Sequence, residues 1–190
     1  VTNNNISITG ASAKHSFYLG VGYSHEQGNI KHEKYSKVTI NASNDYKITD
    51  YLKVGFQFNG ARMLPADSKQ VLGATPIAPV YNNEYGLYAA LPEFQKAQIN
   101  NPMVDVDLKA NKTKAENYRA SGNIYGEVNF LEHFTFKAMF SMDYGSNNGR
   151  TYTPIVKVYD TAVSGNVATL GTGKTEVSQF KENETKVQSD

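Results

Sequence analysis

The sequence predicts an all-β protein, a sector of a large antiparallel transmembrane β-barrel with about six or seven long strands. Three observations predict it: apolar and polar residues alternate, the alternating runs are long, and short connections alternate with long ones. Apolar residues make up only 39% of the 190 residues and the mean hydropathy is −0.51. No run approaches the roughly 18 consecutive apolar residues that a membrane-spanning helix needs. A helical membrane protein is therefore excluded.

The strands follow from period-two alternation, because side chains point to opposite faces at successive strand positions. The clearest run places Phe134, Phe136, Phe140 and Met142 at even positions, against Thr135 and other polar residues at odd ones. Strands are expected near residues 5–10, 15–25, 35–46, 51–63, 114–130 and 134–145. Several exceed the usual strand of about 5 to 6 residues. Long strands with one apolar face occur in large sandwiches, β-solenoids and membrane barrels.

The connections distinguish among these folds. Short links separate the first and second, third and fourth, and fifth and sixth strands, whereas the loops at 64–113 and 145–175 are long. Outer-membrane barrels have short periplasmic turns and long extracellular loops. Aromatic residues flank two of the short turns, as at a membrane–water boundary: Tyr46 and Tyr51, then Phe130 and Phe134. The solvent-exposed strands of a soluble sheet remain an alternative explanation of the alternation.

Composition excludes several functions. The 19 basic and 18 acidic residues nearly cancel, so the net charge of +1 gives no reason to expect nucleic-acid binding. The absence of cysteine excludes disulfides, thiolate metal sites and a cysteine nucleophile. No serine, histidine and acid grouping has an informative spacing. We expect no catalytic residues, no enzyme activity and no cofactor.

Three motifs have ordinary explanations. Gly171–Thr175 (GTGKT) resembles a phosphate-binding loop, but Ala168 stands where the full pattern requires glycine, which favours a glycine-rich loop tip. The pairs at 25–26 and 32–33, both His-Glu, lack the spacing of a helical zinc site. Asp105 and Asp107 lack the glycine and glutamate of a calcium loop, and solvated loop carboxylates are expected there. No metal site is predicted.

The loop at 64–113 is the candidate binding region. It carries four aromatic residues among amide side chains: Tyr81, Tyr85, Tyr88 and Phe94. Aromatic faces with amide neighbours can stack on, and hydrogen-bond to, sugars or peptides. The alternative is that these rings pack the loop against itself or against a partner lid.

The order of strand and turn sequences resembles the barrel region of SusC/RagA-type TonB-linked outer-membrane transporters of Bacteroidetes. The residues that carry the resemblance are Asn5–Lys14 with Phe17–Tyr23, Tyr35–Asn44, Ile48–Gly55, Asn101-Pro102, Tyr118–Asn123 and Leu131–Lys137. They cover about residues 3–63 and 100–160 and contain no catalytic signature. No TonB box, plug domain or barrel-closing strand is recognisable.

The resemblance implies an active transporter in the bacterial outer membrane that imports glycans or oligopeptides, works with TonB, and is covered by a SusD-like lipoprotein. Barrels of this kind have roughly 22 strands, so we expect residues 1–190 to be part of the barrel domain. Two alternatives remain: a soluble secreted or surface β-rich carbohydrate-binding or adhesion module, and a small closed barrel, which needs at least about eight strands.

Overall fold

Seven long strands form one antiparallel sheet in the computed structural model, which describes residues 1–67, 79–96, 99–109, 112–131 and 133–190. The strands are β1 (Thr2–Ala11), β2 (His15–Gln27), β3 (Lys34–Lys47), β4 (Leu52–Leu64), β7 (Thr113–Phe130), β8 (Phe134–Thr153) and β11 (Glu176–Ser189). Each pairs with the next of these in the order given. The predicted fold class is confirmed, with seven strands in the sheet.

Smaller elements lie in the two long connections. They are β5 (Tyr81–Asn82), β6 (Leu87–Tyr88), α1 (Glu93–Lys96), a π-helical turn (Val104–Lys109), β9 (Val156–Tyr159), a 3₁₀ turn (Ser164–Asn166) and β10 (Val167–Leu170). Within the described ranges, no helix is long and apolar enough to cross a membrane.

All short turns leave the sheet at one end and all long connections leave at the other. The turns β1–β2, β3–β4 and β7–β8 form the short-turn end, and the connections β2–β3, β4–β7 and β8–β11 form the long-loop end. The β3–β4 turn is closed by local hydrogen bonds, since the Leu52 amide donates to Thr49 Oγ1 at 3.1 Å and its carbonyl accepts from Ile48 N at 2.9 Å. At the β7–β8 turn the Phe130 and Phe134 rings stack with centroids 5.6 Å apart.

The two faces of the sheet differ in chemistry. The strand register aligns the apolar residues of neighbouring strands in rows on one side of the sheet, here called the outer face. Its apolar belt consists of Ile6, Ile8, Phe17, Leu19, Val21, Val38, Ile40, Phe56, Phe58, Ile124, Phe134, Phe136, Phe140, Met142 and Tyr144. Ile6 is 79% exposed and Ile124 is 61% exposed. The described residues place no second layer over this belt.

The opposite side, the inner face, is polar. Asn41, Asn59 and Ser121 lie in one row of neighbouring strands there, and Gln57 and Asn123 in the next. Tyr125, which interrupts the alternation in the sequence, also lies on this face, because its neighbour Ile124 occupies the apolar row with Phe140. Its hydroxyl donates to Asp45, and the ammonium of Lys137 lies 4.7 Å from its ring centroid.

The predicted boundaries at the end of the chain need correction. β8 continues to Thr153, so the first part of the predicted loop at 145–175 is strand, and β9 and β10 form a hairpin within the rest. β11 was not predicted. Its sequence is polar on both faces because most of it pairs with the part of β8 beyond Tyr144, where the outer face is polar too.

The other long connection also contains structure. Between residues 64 and 113, β5, β6, α1 and the π-helical turn occupy described positions. Of the predicted loop, residues 68–78, 97–98 and 110–111 lie outside the described residues. α1 forms a single helical turn within this connection.

Candidate functional site

The two long connections fold together at the long-loop end into one unit, here called the loop module and defined as residues 79–96, 99–109 and 156–170. Its core is apolar: Val104 is fully buried and Val158 is 1% exposed. Val156 completes the buried cluster, with Tyr88 and Leu108 packed against it. Val156 and Val158 lie on β9, where a β-branched side chain loses little rotamer freedom on burial. The buried apolar core of the described residues thus lies here and not in the sheet.

Backbone pairing joins the two connections. Ala89 forms an isolated parallel bridge with Tyr159, and the Ala90 amide donates to the Tyr159 carbonyl at 2.7 Å. Asn101 is buried, and its amide group donates to the carbonyls of Val80 and Ala89 at 2.9 and 2.8 Å. Since a buried carbonyl without a donor is costly, Asn101 fixes the path of the chain around the β5–β6 hairpin.

The four predicted aromatic residues all lie in the loop module, but in two different settings. Tyr88 packs against the core, and its ring meets that of Tyr81 edge-on with centroids 5.2 Å apart. Tyr85 lies 5.0 Å from the ring of Tyr159, and its hydroxyl accepts from Asn166 at 3.3 Å. Phe94, on α1, is 64% exposed. Three of the four rings therefore contact other rings of the loop module, and Phe94 projects from it.

Tyr81 and Tyr85 keep exposed surface despite these contacts. With Phe94 they give the loop module three accessible aromatic faces, and Asn82 and Asn166 supply amide groups beside them. Such a surface can stack on sugar rings or peptide side chains and donate hydrogen bonds to their oxygens. Tyr88 offers no comparable face, because its ring is packed and its hydroxyl is already engaged.

Asp107 connects the loop module to the β2–β3 connection. Lys31 Nζ lies 2.5 Å from its carboxylate, and His32 Nε2 lies 3.9 Å away. The Tyr88 hydroxyl donates to the other carboxylate oxygen. The Lys31 and Tyr88 hydrogen bonds lower the pKa of Asp107, and the same carboxylate raises the pKa of Tyr88. The sequence marked Asp107 only as a loop carboxylate, since a pairing 76 residues apart leaves no local signal.

A second ion pair holds α1 against β9. Lys96 Nζ lies 2.5 Å from the buried Asp160 carboxylate and 2.8 Å from Glu93. The hydrogen bond from Lys96 lowers the pKa of Asp160, and the Ala162 amide donates to the same carboxylate at 3.0 Å. The pair orients the helical turn that carries Phe94.

The glycine-rich motif at 171–175 lies in a turn. Gly171 and Gly173 adopt positive φ angles of 70° and 68° in the exposed turn before β11, which is what glycine permits in a tight turn. Among the described residues no three His, Asp or Glu side chains come together as a metal site would require.

A sheet with one bare apolar face, one polar face and all long connections at one end is a sector of a β-barrel wall. No protein-family model matches the chain. The chain is similar to a TonB-dependent receptor, P26, of Formosa agariphila, with 26% identity over 157 residues. The match covers 80% of this chain and 16% of the receptor, so the chain spans a small part of the length of this curated relative. This similarity is consistent with the barrel-sector architecture of the sheet.

Proposed function

We propose that this chain is part of an outer-membrane, TonB-dependent active transporter of the SusC/RagA type that imports glycans or oligopeptides. In this proposal the outer face contacts lipid, the inner face lines the lumen, and the loop module lies outside the cell. TonB acts through parts of the protein other than this segment, and a SusD-like lipoprotein covers the long-loop end. The chain itself performs no covalent chemistry.

One observation carries the proposal: a wide apolar face that no described part of the chain covers, directly opposite a face of amides and charges. In water that apolar face would be a severe aggregation liability. In a bilayer it has the right height. A strand rises about 3.4 Å per residue and tilts by about 45°, so ten residue steps cover about 24 Å of depth, which is the span from Phe134 to Tyr144. A soluble carbohydrate-binding or adhesion module would have to bury the same face elsewhere.

The loop module supplies the cargo contacts in this proposal. Tyr85 and Phe94 present aromatic faces, and the amide of Asn166 lies beside Tyr85. Neutral, hydrogen-bonding surfaces of this kind suit saccharides or peptides better than strongly charged cargo. Tyr81 contributes an exposed face on the β5–β6 hairpin. Tyr88, which packs against the core of the loop module, supports the Tyr81 ring from below.

The experiment is uptake by cells that express the complete transporter gene, measured with labelled oligosaccharides and oligopeptides. The double variant Tyr85→Ala/Phe94→Ala should reduce uptake several-fold, because each lost ring removes stacking worth about 1 kcal/mol. Phe134→Ala at the short-turn end is the matched control, since it also removes an exposed aromatic ring.

Two further arms test the mechanism of transport. Loss of TonB or collapse of the proton gradient should abolish uptake, and loss of the neighbouring lipoprotein should weaken it. Uptake that persists without TonB would refute active transport. A complete chain that stays monomeric and folded without detergent would instead support the soluble module.

A further inference from the structure

The outer face changes character above the apolar belt, toward the long-loop end. Tyr118 and Tyr144 lie at its upper edge. Level with them and beyond them, the outward positions carry basic side chains on six strands, here called the outer basic cluster: His25, Lys34, Arg62, Lys114, Arg150 and Lys181. They lie on the same side of the same strands as the belt, so nothing in the sheet separates them from it.

The register fixes the level of each member. Arg62 is paired with Tyr118 and lies at the belt's edge. Lys181 pairs with Asn148, four residues beyond Tyr144, and Arg150 follows two residues later. At about 3.4 Å per residue and a tilt of about 45°, Lys181 and Arg150 lie about 10 to 15 Å above the belt. The headgroup region begins at the edge of the hydrocarbon core, so these side chains lie beyond the belt, at the headgroup level or above it.

Positive charge in the cluster is poorly balanced. Among the described outward strand positions beyond Tyr144, Glu116 is the one acidic residue. It forms an ion pair with Arg62. Asp67, nearby in the connection after β4, accepts hydrogen bonds from the backbone amides of Lys112 and Thr113. On the inner face, at the level of the belt's upper edge, both signs alternate, with Arg119 and Lys186 beside Asp143 and Glu184.

Two cations of the cluster directly oppose each other. Lys114 of β7 is the register partner of Arg150 of β8. Like charges at opposed positions repel, because their β-carbons are only about 4.5 to 5.5 Å apart. Lys181 on β11 is diagonal to Arg150 and adds a third positive group. An anion between these side chains would remove the repulsion, and a phosphate accepts bonds from both lysine and arginine.

Neighbouring residues provide room for such a group. Where β4 ends, a half-open cavity of about 400 Å³ lies between β3 and β7. Its lining includes His25, Lys34 and Lys114, together with Ser36, whose hydroxyl can donate a further hydrogen bond. The carboxylate of Asp67 also lines the cavity, and it accepts the Lys112 and Thr113 backbone amides. A phosphorylated sugar fits a volume of this size.

We propose that the outer basic cluster binds the phosphorylated saccharide headgroup of an anionic glycolipid in the outer leaflet. A lipid headgroup is favoured over a soluble phosphate because the cluster continues the lipid-facing belt and lies on the side away from the lumen. The inference rests on the proposed membrane orientation of the sheet but is independent of the cargo.

The test uses the complete polypeptide in detergent, with lipid A and dephosphorylated lipid A as probes and native mass spectrometry as the readout. The variant Lys114→Gln/Arg150→Gln should bind lipid A at least tenfold more weakly. Lys37→Gln/Arg119→Gln is the matched control, because it removes the same charge from the inner face. Wild-type protein and control should bind lipid A equally and prefer it to the dephosphorylated form.

Several results would overturn the proposal. Equal lipid A binding by the outer variant and the control would do so, as would equal binding of the dephosphorylated lipid. Full competition by millimolar inorganic phosphate would identify a soluble-anion site instead. Heat-modifiable gel mobility checks that each variant is folded. Because the readout needs neither cargo nor TonB, a failure of the uptake experiment leaves this result interpretable.

Discussion

Replacing Phe140 with arginine tests which face of the sheet meets lipid. Phe140 lies in the middle of the belt on β8, flanked by Ile124 of β7 and Ser189 of β11. Its neighbour Ser141 points to the inner face, where it pairs with Asn123. Phe140→Arg and Ser141→Arg therefore place the same side chain at the same depth on opposite faces.

The two variants should differ by several kcal/mol. Arginine on the lipid face at the bilayer midplane costs about 2 to 4 kcal/mol, and loss of the phenylalanine removes about 1.5 to 3 kcal/mol of apolar transfer. Phe140→Arg should thus destabilise the folded wall by about 4 to 7 kcal/mol. Ser141→Arg should change stability by less than about 0.5 kcal/mol, since a wetted face accepts the charge and Asp143 lies on the same side.

The assay is urea unfolding of the complete polypeptide in lipid vesicles, with the folded fraction read from heat-modifiable gel mobility. We expect Phe140→Arg to lower the midpoint or prevent folding, and Ser141→Arg to match wild type. Equal effects, or a larger effect of Ser141→Arg, would contradict the assignment of the two faces. Outer-membrane levels in cells provide a second measurement for a variant that does not refold.

Three further predictions concern the loop module. Val158→Ala should lower the free energy of opening of the loop module by about 2.5 kcal/mol, about 1.6 from the two lost carbons and about 1 from the remaining cavity. Amide hydrogen exchange in β9 and β10 should then become about 70-fold faster. Val167→Ala, at an exposed position, should change the exchange rate little. Asn101→Ala leaves the Ala89 carbonyl without its donor, whereas the Val80 carbonyl keeps the Ala89 amide at 3.0 Å. The substitution should cost about 1 to 3 kcal/mol, seen as faster proteolysis near β5 with unchanged β7 and β8. The pKa of Asp107 is lowered from the ordinary value of 3.8. Its contact with Lys31 therefore stabilises the folded loop module fully at pH values above 3.8, and this stabilisation is lost as the pH falls through the lowered pKa. Asp107→Asn should remove this pH dependence of exchange in the β2–β3 connection, and an unchanged profile would contradict it.

The sheet was predictable because each strand shows its own alternation of apolar and polar residues along a short stretch of sequence. Alternation alone placed Phe134 and Met142 on one face, and polar turn residues fixed where strands reverse. Alternation did not predict β11, because beyond Tyr144 both faces of the sheet carry mainly polar residues and the period-two pattern disappears. Alternation also did not predict that β8 continues to Thr153. Polar residues can continue a strand as readily as they form a loop when a partner strand is present.

The loop module was only partly predictable. Aromatic and amide composition identified a candidate binding region, but not that Tyr85 meets Tyr159 or that Asp107 meets Lys31. Those contacts join segments more than 70 residues apart, and single side chains at such separation leave no periodic signal. Asn101 was noted for its sequence resemblance, and its buried amide bridges emerge only from the folded chain.

The length of β8 has a consequence for access from outside. From Gly145 to Thr153 it continues nine residues past the belt, which at about 3.4 Å per residue and a tilt of about 45° raises its tip about 20 Å. In the proposed orientation, the β9–β10 hairpin at the end of this extension lies well above the hydrocarbon core of the bilayer. A large extracellular particle, such as an antibody or a phage fibre, would contact this hairpin before it reached the bilayer.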